Sequence, residues 1–158
     1  MTIRNMLESE YPLLEEFLYN AIFIPEGTEK PPRDIIKKPE LQVYIEDFGK
    51  RKDDFCLVAE PGDSEKIAGA CWVRIMNDYG HIDDETPSLA ISVLEEFRNQ
   101  GIGTTLLQFM LPVLKAKGYK RVSLAVQKAN YAVGMYKKVG FEIVDENDQE
   151  YIMQCVLQ

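Results

Sequence analysis

After Val93 the chain runs through Arg98-Asn99-Gln100-Gly101-Ile102-Gly103 and then Thr104-Thr105, a glycine turn set between a strand-like run and a helix-like run. That arrangement suits an anion. The first amides of a helix lack intrahelical partners, the helix dipole favours negative charge, and glycine lets a ligand reach the backbone. Gly101 and Gly103 permit the approach, the two threonines add hydroxyls, and Arg98 adds a fixed charge. The same glycines also serve a strand-to-helix turn that needs them for its dihedral angles alone. Charge distribution favours the anion: between Phe97 and Phe141 there are eight basic residues and no acid, whereas all 26 acids and only ten of the 18 basic residues lie elsewhere. An acidic protein that keeps one segment positive is arranged to bind an anion there, and the glycines point to a phosphate.

Two familiar phosphate motifs do not fit. A dinucleotide fingerprint needs a third glycine where Leu106 stands, and an acid ~20 residues later inside the acid-free stretch. A P-loop needs Gly-Lys-Ser/Thr, and Gly103 is followed by Thr104. The net charge of −8 opposes nonspecific nucleic-acid binding. No apolar run approaches the ~20 residues of a membrane span, and the N-terminus lacks the apolar core of a secretion signal. Cys56, Cys71 and Cys155 are far apart among apolar neighbours and read as buried thiols in a reducing cytoplasm. With His81 the only histidine, no histidine-rich metal site is expected.

The elements that must position the turn follow from periodicity. The 158 residues are expected to form a single domain, 1–158, with one core of ordinary size. A strand is predicted over 2–6, then a helix over 10–22 capped by Ser9, with Leu13, Leu14, Phe17, Leu18, Ala21 and Ile22 on one face. An irregular proline-rich connection (25–39) leads to a second helix over 39–48. Strands are predicted at 55–59 and 66–76, joined by a turn at Pro61-Gly62-Asp63-Ser64, and at 89–93. Beyond the glycine turn comes a helix ending near Gly118, with Pro112 inside it. A strand at 121–126, a helix at 131–139 closed by Gly140, and a hairpin of 141–144 with 151–156 complete the chain. The order indicates a mixed α/β domain around one central sheet.

Arg98-x-x-Gly101-x-Gly103 after a strand, combined with Asn130-Tyr-Ala-Val-Gly-Met-Tyr136-Lys-Lys-Val-Gly140-Phe141, resembles the GCN5-related N-acetyltransferase family. The resemblance covers most of the chain and is strongest over 89–143. It implies an acyl-CoA N-acyltransferase-like fold: a mixed sheet of about seven strands flanked by about four helices, in which the strands at 89–93 and 121–126 run parallel and splay. Acetyl-CoA is expected in the gap as acetyl donor. Backbone groups of Ile91, Ser92 and Val93 would bond its pantetheine arm. Amides from Arg98 through Asn99, Gln100, Gly101, Ile102 and Gly103 to Thr104 would hold its pyrophosphate. Asn130 is expected as a further cofactor contact, and Lys128, Lys137 or Lys138 at the outer phosphate. Tyr136 resembles the tyrosine that protonates the departing thiolate, chemistry a positioned phenol can perform.

The sequence departs from the family at two places. Many relatives place the asparagine seven residues before this tyrosine, where Ala129 stands here, and many carry a general-base glutamate on the strand before the turn, where Ser88 stands. Of the nearby acids Asp83, Asp84 and Glu85, Glu85 is carried forward as the candidate base, with a water relay as the other route. Tyr79 and His81 are candidates for the same mouth, which the connection around 25–27 and the strand at Tyr151 would border. The expected reaction is direct attack by a primary amine, on a small molecule or a peptide, within a ternary complex. No metal, nucleic acid or membrane takes part in it. Homodimers are frequent among such proteins, and no residue here identifies an interface. A noncatalytic acyl-CoA-binding module and a protein-interaction domain are the rival readings.

Overall fold

In the computed structural model, which describes residues 1–62 and 66–157, one sheet holds seven strands in the order β1-β2-β3-β4-β5-β7-β6. These are β1 (Thr2–Asn5), β2 (Phe55–Glu60), β3 (Gly69–Arg74), β4 (Ser88–Val93), β5 (Arg121–Gln127), β6 (Glu142–Glu146) and β7 (Glu150–Val156). The helices are α1 (Leu14–Ala21), α2 (Pro39–Gln42), α3 (Ile102–Ala116) and α4 (Ala132–Val139). All neighbouring strands are antiparallel except β4 and β5. The expected mixed sheet with one parallel pair is therefore present. Of the predicted turn at 61–64, Asp63 and Ser64 lie outside the described residues.

Alternation along the strands sorts apolar side chains to opposite faces. Leu57, Cys71, Val73, Leu89, Val122, Leu124, Val126 and Met153 pack beneath α3, whose buried stripe is Ile102, Leu106, Leu107, Met110 and Leu114. Cys56, Val58, Ala70 and Trp72 face the other way and meet Leu14, Phe17 and Leu18 of α1, with Ile45 and Phe48. At the outer edge β6 is exposed along its whole length and carries Glu142, Asp145 and Glu146.

Two predicted helices are shorter than their periodicity suggested. Before α1 the chain makes a 3-10 turn over Glu8–Leu13 that contains Pro12. Ser9 is not its cap; the Glu10 carboxylate accepts the Leu7 N–H at 2.8 Å while also pairing with Arg4 at 2.7 Å. The second helix stops at Gln42, not 48, because its next carbonyls are taken. Arg74 donates to the oxygens of Val43 (3.1 Å) and Glu46 (2.9 Å), and the backbone then turns left-handed at Asp47 (φ 51°) and Gly49 (φ 97°).

Arg74 is the one charge in an otherwise apolar strand, and it is wholly buried. Its Nε and Nη2 meet the Asp54 carboxylate at 3.0 and 2.8 Å, and its guanidinium lies 5.3 Å from the Phe48 ring centre. Asp54 in turn accepts the N–H groups of Gly49 (2.8 Å) and Arg51 (3.2 Å). Every polar atom in this arrangement is answered, so residues 43–54 are fastened to β3 without a regular helix. Removing one member leaves a buried charge uncompensated, which typically costs ~3–5 kcal/mol. Asp54→Ala should lower the unfolding free energy in urea by that amount; a loss below ~1 kcal/mol would show that the pair does not hold the segment.

Candidate active site

The site begins with a mismatch in pairing. β4 pairs with β3 along its whole length, from Ser88↔Arg74 to Val93↔Gly69, but with β5 only at Ser88↔Ser123. Past that bridge the two parallel strands part. Leu94 N–H donates to Ala68 O at 2.9 Å, which sets the alternation of the antiparallel pair. The backbone groups of Ser88, Ala90 and Ser92 therefore turn to β3, and those of Ile91 and Val93 turn toward the gap. Of the three residues expected at a pantetheine arm, Ile91 and Val93 turn backbone groups toward the gap. Ser92 does not, and its buried hydroxyl has no hydrogen-bond partner among the described residues.

The glycine turn lies beyond the end of β4, past the open end of this gap. Gly101 precedes α3 in the left-handed conformation (φ 78°), and no side chain caps the helix. The first amides of α3, from Ile102 to Thr104, thus keep the unpaired N–H groups of a free helix end. A methyl group at Gly101 would meet nothing within 4 Å, so the approach is open. Gly103 has another duty: a Cβ there would sit 3.2 Å from Met135 Sδ, so its smallness lets α4 pack closely on α3. Asn99 (φ 62°) and Gln100 are exposed on the turn.

Arg98 is placed differently from the phosphate-facing charge expected of it. Its Nε donates to Val93 O (3.0 Å) and its Nη2 to Asn20 O (2.9 Å), so it braces the turn against β4 and the end of α1. Asn130 Oδ1 accepts the Ala132 N–H at 2.9 Å and so shapes the entry to α4. Lys128 pairs with Glu146 at 3.3 Å and stacks 5.2 Å from the Tyr151 ring centre. Lys137 and Lys138 occupy the last turn of α4, where they complement its negative end.

Tyr136 rises from α4 into the core, 7% exposed, edge-on to Phe141 at 5.6 Å. Its hydroxyl has no hydrogen-bond partner among the described residues. Burial, and secondarily the neighbouring Cys71, pushes the phenol well above its ordinary range. It stays protonated at neutral pH, as a proton donor must.

The loop at 77–87 closes the fork. Ser88 Oγ donates to Asp78 Oδ1 (2.9 Å), Tyr44 Oη donates to Asp78 Oδ2 (3.1 Å), and Ser123 Oγ donates to Gly80 O (2.8 Å). A Cβ on Gly80 would come within 3.0 Å of the Leu124 and Ala125 backbone, so only glycine lets the loop lie this close to β5. Sequence reasoning passed over Asp78 and Tyr44, and Gly80 in an acidic loop was the sole hint of so close an approach.

The acids that had been favoured lie elsewhere. Asp83, Asp84 and Glu85 line an open groove of about 900 Å³ at the starting ends of β4 and β5, with Lys52, Lys117 and Arg121. Glu85 is exposed there. His81 Nε2 lies 3.4 Å from Asp84, and Tyr79 is exposed. Among the described residues no group of His, Cys, Asp or Glu side chains is arranged to hold a metal, and no helix is long and apolar enough to cross a membrane.

Comparison with known proteins yields one family model, described as acetyltransferase (GNAT) family, which matches residues 14–141. A Haemophilus influenzae protein named [ribosomal protein bS18]-alanine N-acetyltransferase is 34% identical over 68 residues, 43% of this chain and 47% of that one. The chain thus spans about half the length of curated relatives of this kind. Among solved structures, an N-acetyltransferase from Staphylococcus aureus Mu50 superposes with a TM-score of 0.72 at 18% identity, over 99% of this chain and 98% of that one. The PaiA N-acetyltransferase of Thermoplasma acidophilum, solved in complex with coenzyme A, gives a TM-score of 0.70 at 21% identity, over 98% of each chain. These likenesses establish the fold.

The Thr86 hydroxyl, then Arg121 at 2.6 Å and the Glu85 amide, hold the Asp83 carboxyl down at about 2. A depressed carboxyl adds stability above its unfolded value of ~3.9 and loses that contribution as pH falls toward its folded value. Arg121→Gln should raise the Asp83 titration, followed by carboxyl NMR, toward the ordinary range. An unmoved titration would remove the ion pair as a cause.

Proposed function

The chain belongs to the acetyltransferase (GNAT) family, and we propose that it moves an acetyl group from acetyl-CoA to a primary amine by direct attack in a ternary complex. One observation carries the proposal: the gap where β4 leaves β5 presents backbone from Ile91 and Val93 and leads to the uncapped amides of α3. That is a channel of unpaired donors ending in an anion site, matched to an extended amide-bearing arm with a pyrophosphate behind it. The donor supplies the activated thioester.

The residues of the chain divide the remaining work. Amides from Ile102 to Thr104, with the turn at Asn99, Gln100 and Gly101, hold the pyrophosphate. Arg98 keeps that turn in place and acts on the ligand through it. Ile91 and the Val93 N–H bond the arm and orient the carbonyl, and the Asn130 side-chain amide adds a donor at the start of α4. Tyr136 protonates the departing thiolate from a buried position. The acceptor is a primary amine on a small molecule or a peptide; one relative's name specifies an alanine of ribosomal protein bS18. Three buried free thiols support work in the reducing cytoplasm.

Titration calorimetry with CoA should give binding well below millimolar, and Thr104→Glu, which puts a carboxylate in the first turn of α3, should abolish it. No binding by the unmodified chain at millimolar CoA would end the proposal. Tyr136→Phe should lower turnover by roughly a hundredfold or more with CoA affinity nearly unchanged, and unchanged turnover would remove its acid role. CoA binding without thiol release in the presence of any amine would favour the noncatalytic acyl-CoA module.

A further inference from the structure

We propose that Asp78 is the group that holds the acceptor's ammonium and takes its proton, positioned by Tyr44 and Ser88; the assignment rests on the acetyltransferase reading above. The family's strand position for a base is filled by Ser88, whose hydroxyl is turned onto the Asp78 carboxylate at 2.9 Å. The serine thereby holds a loop carboxylate at the fork. Tyr44 fixes the other oxygen at 3.1 Å from the opposite side. The carboxylate accepts these two neutral hydroxyls, has no cation on it among the described residues, and is half-buried with further lone pairs available.

The electrostatics of the groups around Asp78 favour a cation beside it. Burial, then Asp78, Glu150 and last Tyr136 push the Tyr44 phenol upward, so it donates to the carboxylate as a neutral hydroxyl. Glu150, opposite Gln127 near the open end of β5, lies within electrostatic reach of Asp78. Burial first and Asp78 second push the Glu150 carboxyl above its ordinary range, a cost that a cation placed beside the two acids relieves. Glu85 has no such setting, being exposed at the closed end of the fork.

The chemistry balances. Asp78 accepts one proton from the ammonium, freeing the nitrogen lone pair. The nitrogen forms a bond to the thioester carbonyl carbon, and the C–S bond breaks with its electron pair remaining on sulfur. Tyr136 gives its proton to that sulfur and regains one from the new amide nitrogen through solvent. Asp78 returns its own proton to solvent, so one proton is released per acetyl group transferred.

The test is thiol release from acetyl-CoA with spermidine, benzylamine and an alanine-initiated peptide as probes. With whichever amine reacts, Asp78→Asn should cut kcat at neutral pH by roughly a hundredfold or more and leave the CoA dissociation constant within about twofold. Its rate should then climb about tenfold per pH unit toward the amine's own pKa, whereas the unmodified protein levels off. Tyr44 and Ser88 donate to Asp78, Glu150 lies within its electrostatic reach, and burial pushes the Tyr44 phenol upward. Glu150→Gln should therefore keep the plateau. If Asp78→Asn does not fold, Tyr44→Phe must give the same alkaline-shifted profile with a smaller loss. Equal kcat and equal profiles in a transferring enzyme would overturn the Asp78 assignment and leave the transferase reading standing. Absent CoA binding would overturn both, and CoA binding without release from any probe would overturn Asp78 in favour of the noncatalytic module.

Discussion

Everything at the candidate site depends on the loop between β3 and β4 being fastened to both arms of the fork. Asp78 is tied to β4 through Ser88, and Gly80 is tied to β5 through Ser123. With the loop lying against the Leu124–Ala125 backbone, β4 and β5 keep one bridge and then separate. Had their pairing continued, the outward groups of Ile91 and the Val93 N–H would have been satisfied within the sheet, whereas the Val93 carbonyl is taken by Arg98. Buried backbone polar groups are seldom left without partners. A gap lined by them is therefore a place where a ligand can complete the sheet's hydrogen bonding.

Around this fork the two faces of the sheet have separate tasks. The face under α3 and α4 is the larger apolar core, and Tyr136 packs within it. The face under α1 carries an unusual polar fitting, the Arg74–Asp54 pair, which replaces the later turns of a helix with fixed irregular backbone. Tyr44 belongs to that segment, and its carbonyl also accepts the Trp72 indole at 3.0 Å. The hydroxyl that positions Asp78 is thus held at the end of a chain of buried contacts. Arg98 does comparable work on the other side, joining the glycine turn to β4 and α1.

Much of the fold was legible because periodicity is local. The strands at 55–59, 89–93 and 121–126 each fell within about a residue of their observed limits, and the α3 stripe matched its buried face. The glycine turn was legible for the same reason, since a strand, a turn and a helix are contiguous. What could not be read depends on distant partners. The early end of α2 is set by Arg74, some thirty residues on, and the cap before α1 by Glu10 acting with Arg4. Arg98 carried the right charge at the right spacing, yet its direction was decided by Asn20 and Val93. Asp78 was hidden among the acids of its loop. Nothing in their order distinguishes it from Asp83, which folding commits to Arg121.

The exposed outer strand β6 has a consequence of its own. A terminal strand presents a free row of hydrogen-bonding groups to any extended chain that drifts alongside. Here Glu142, Asp145 and Glu146 stand along that row. A second copy aligning its own outermost strand would bring three more carboxylates against them, so at neutral pH like repels like before hydrogen bonds can form. Protection of this kind comes from electrostatics, not shape, and it weakens with ionic strength and with acid.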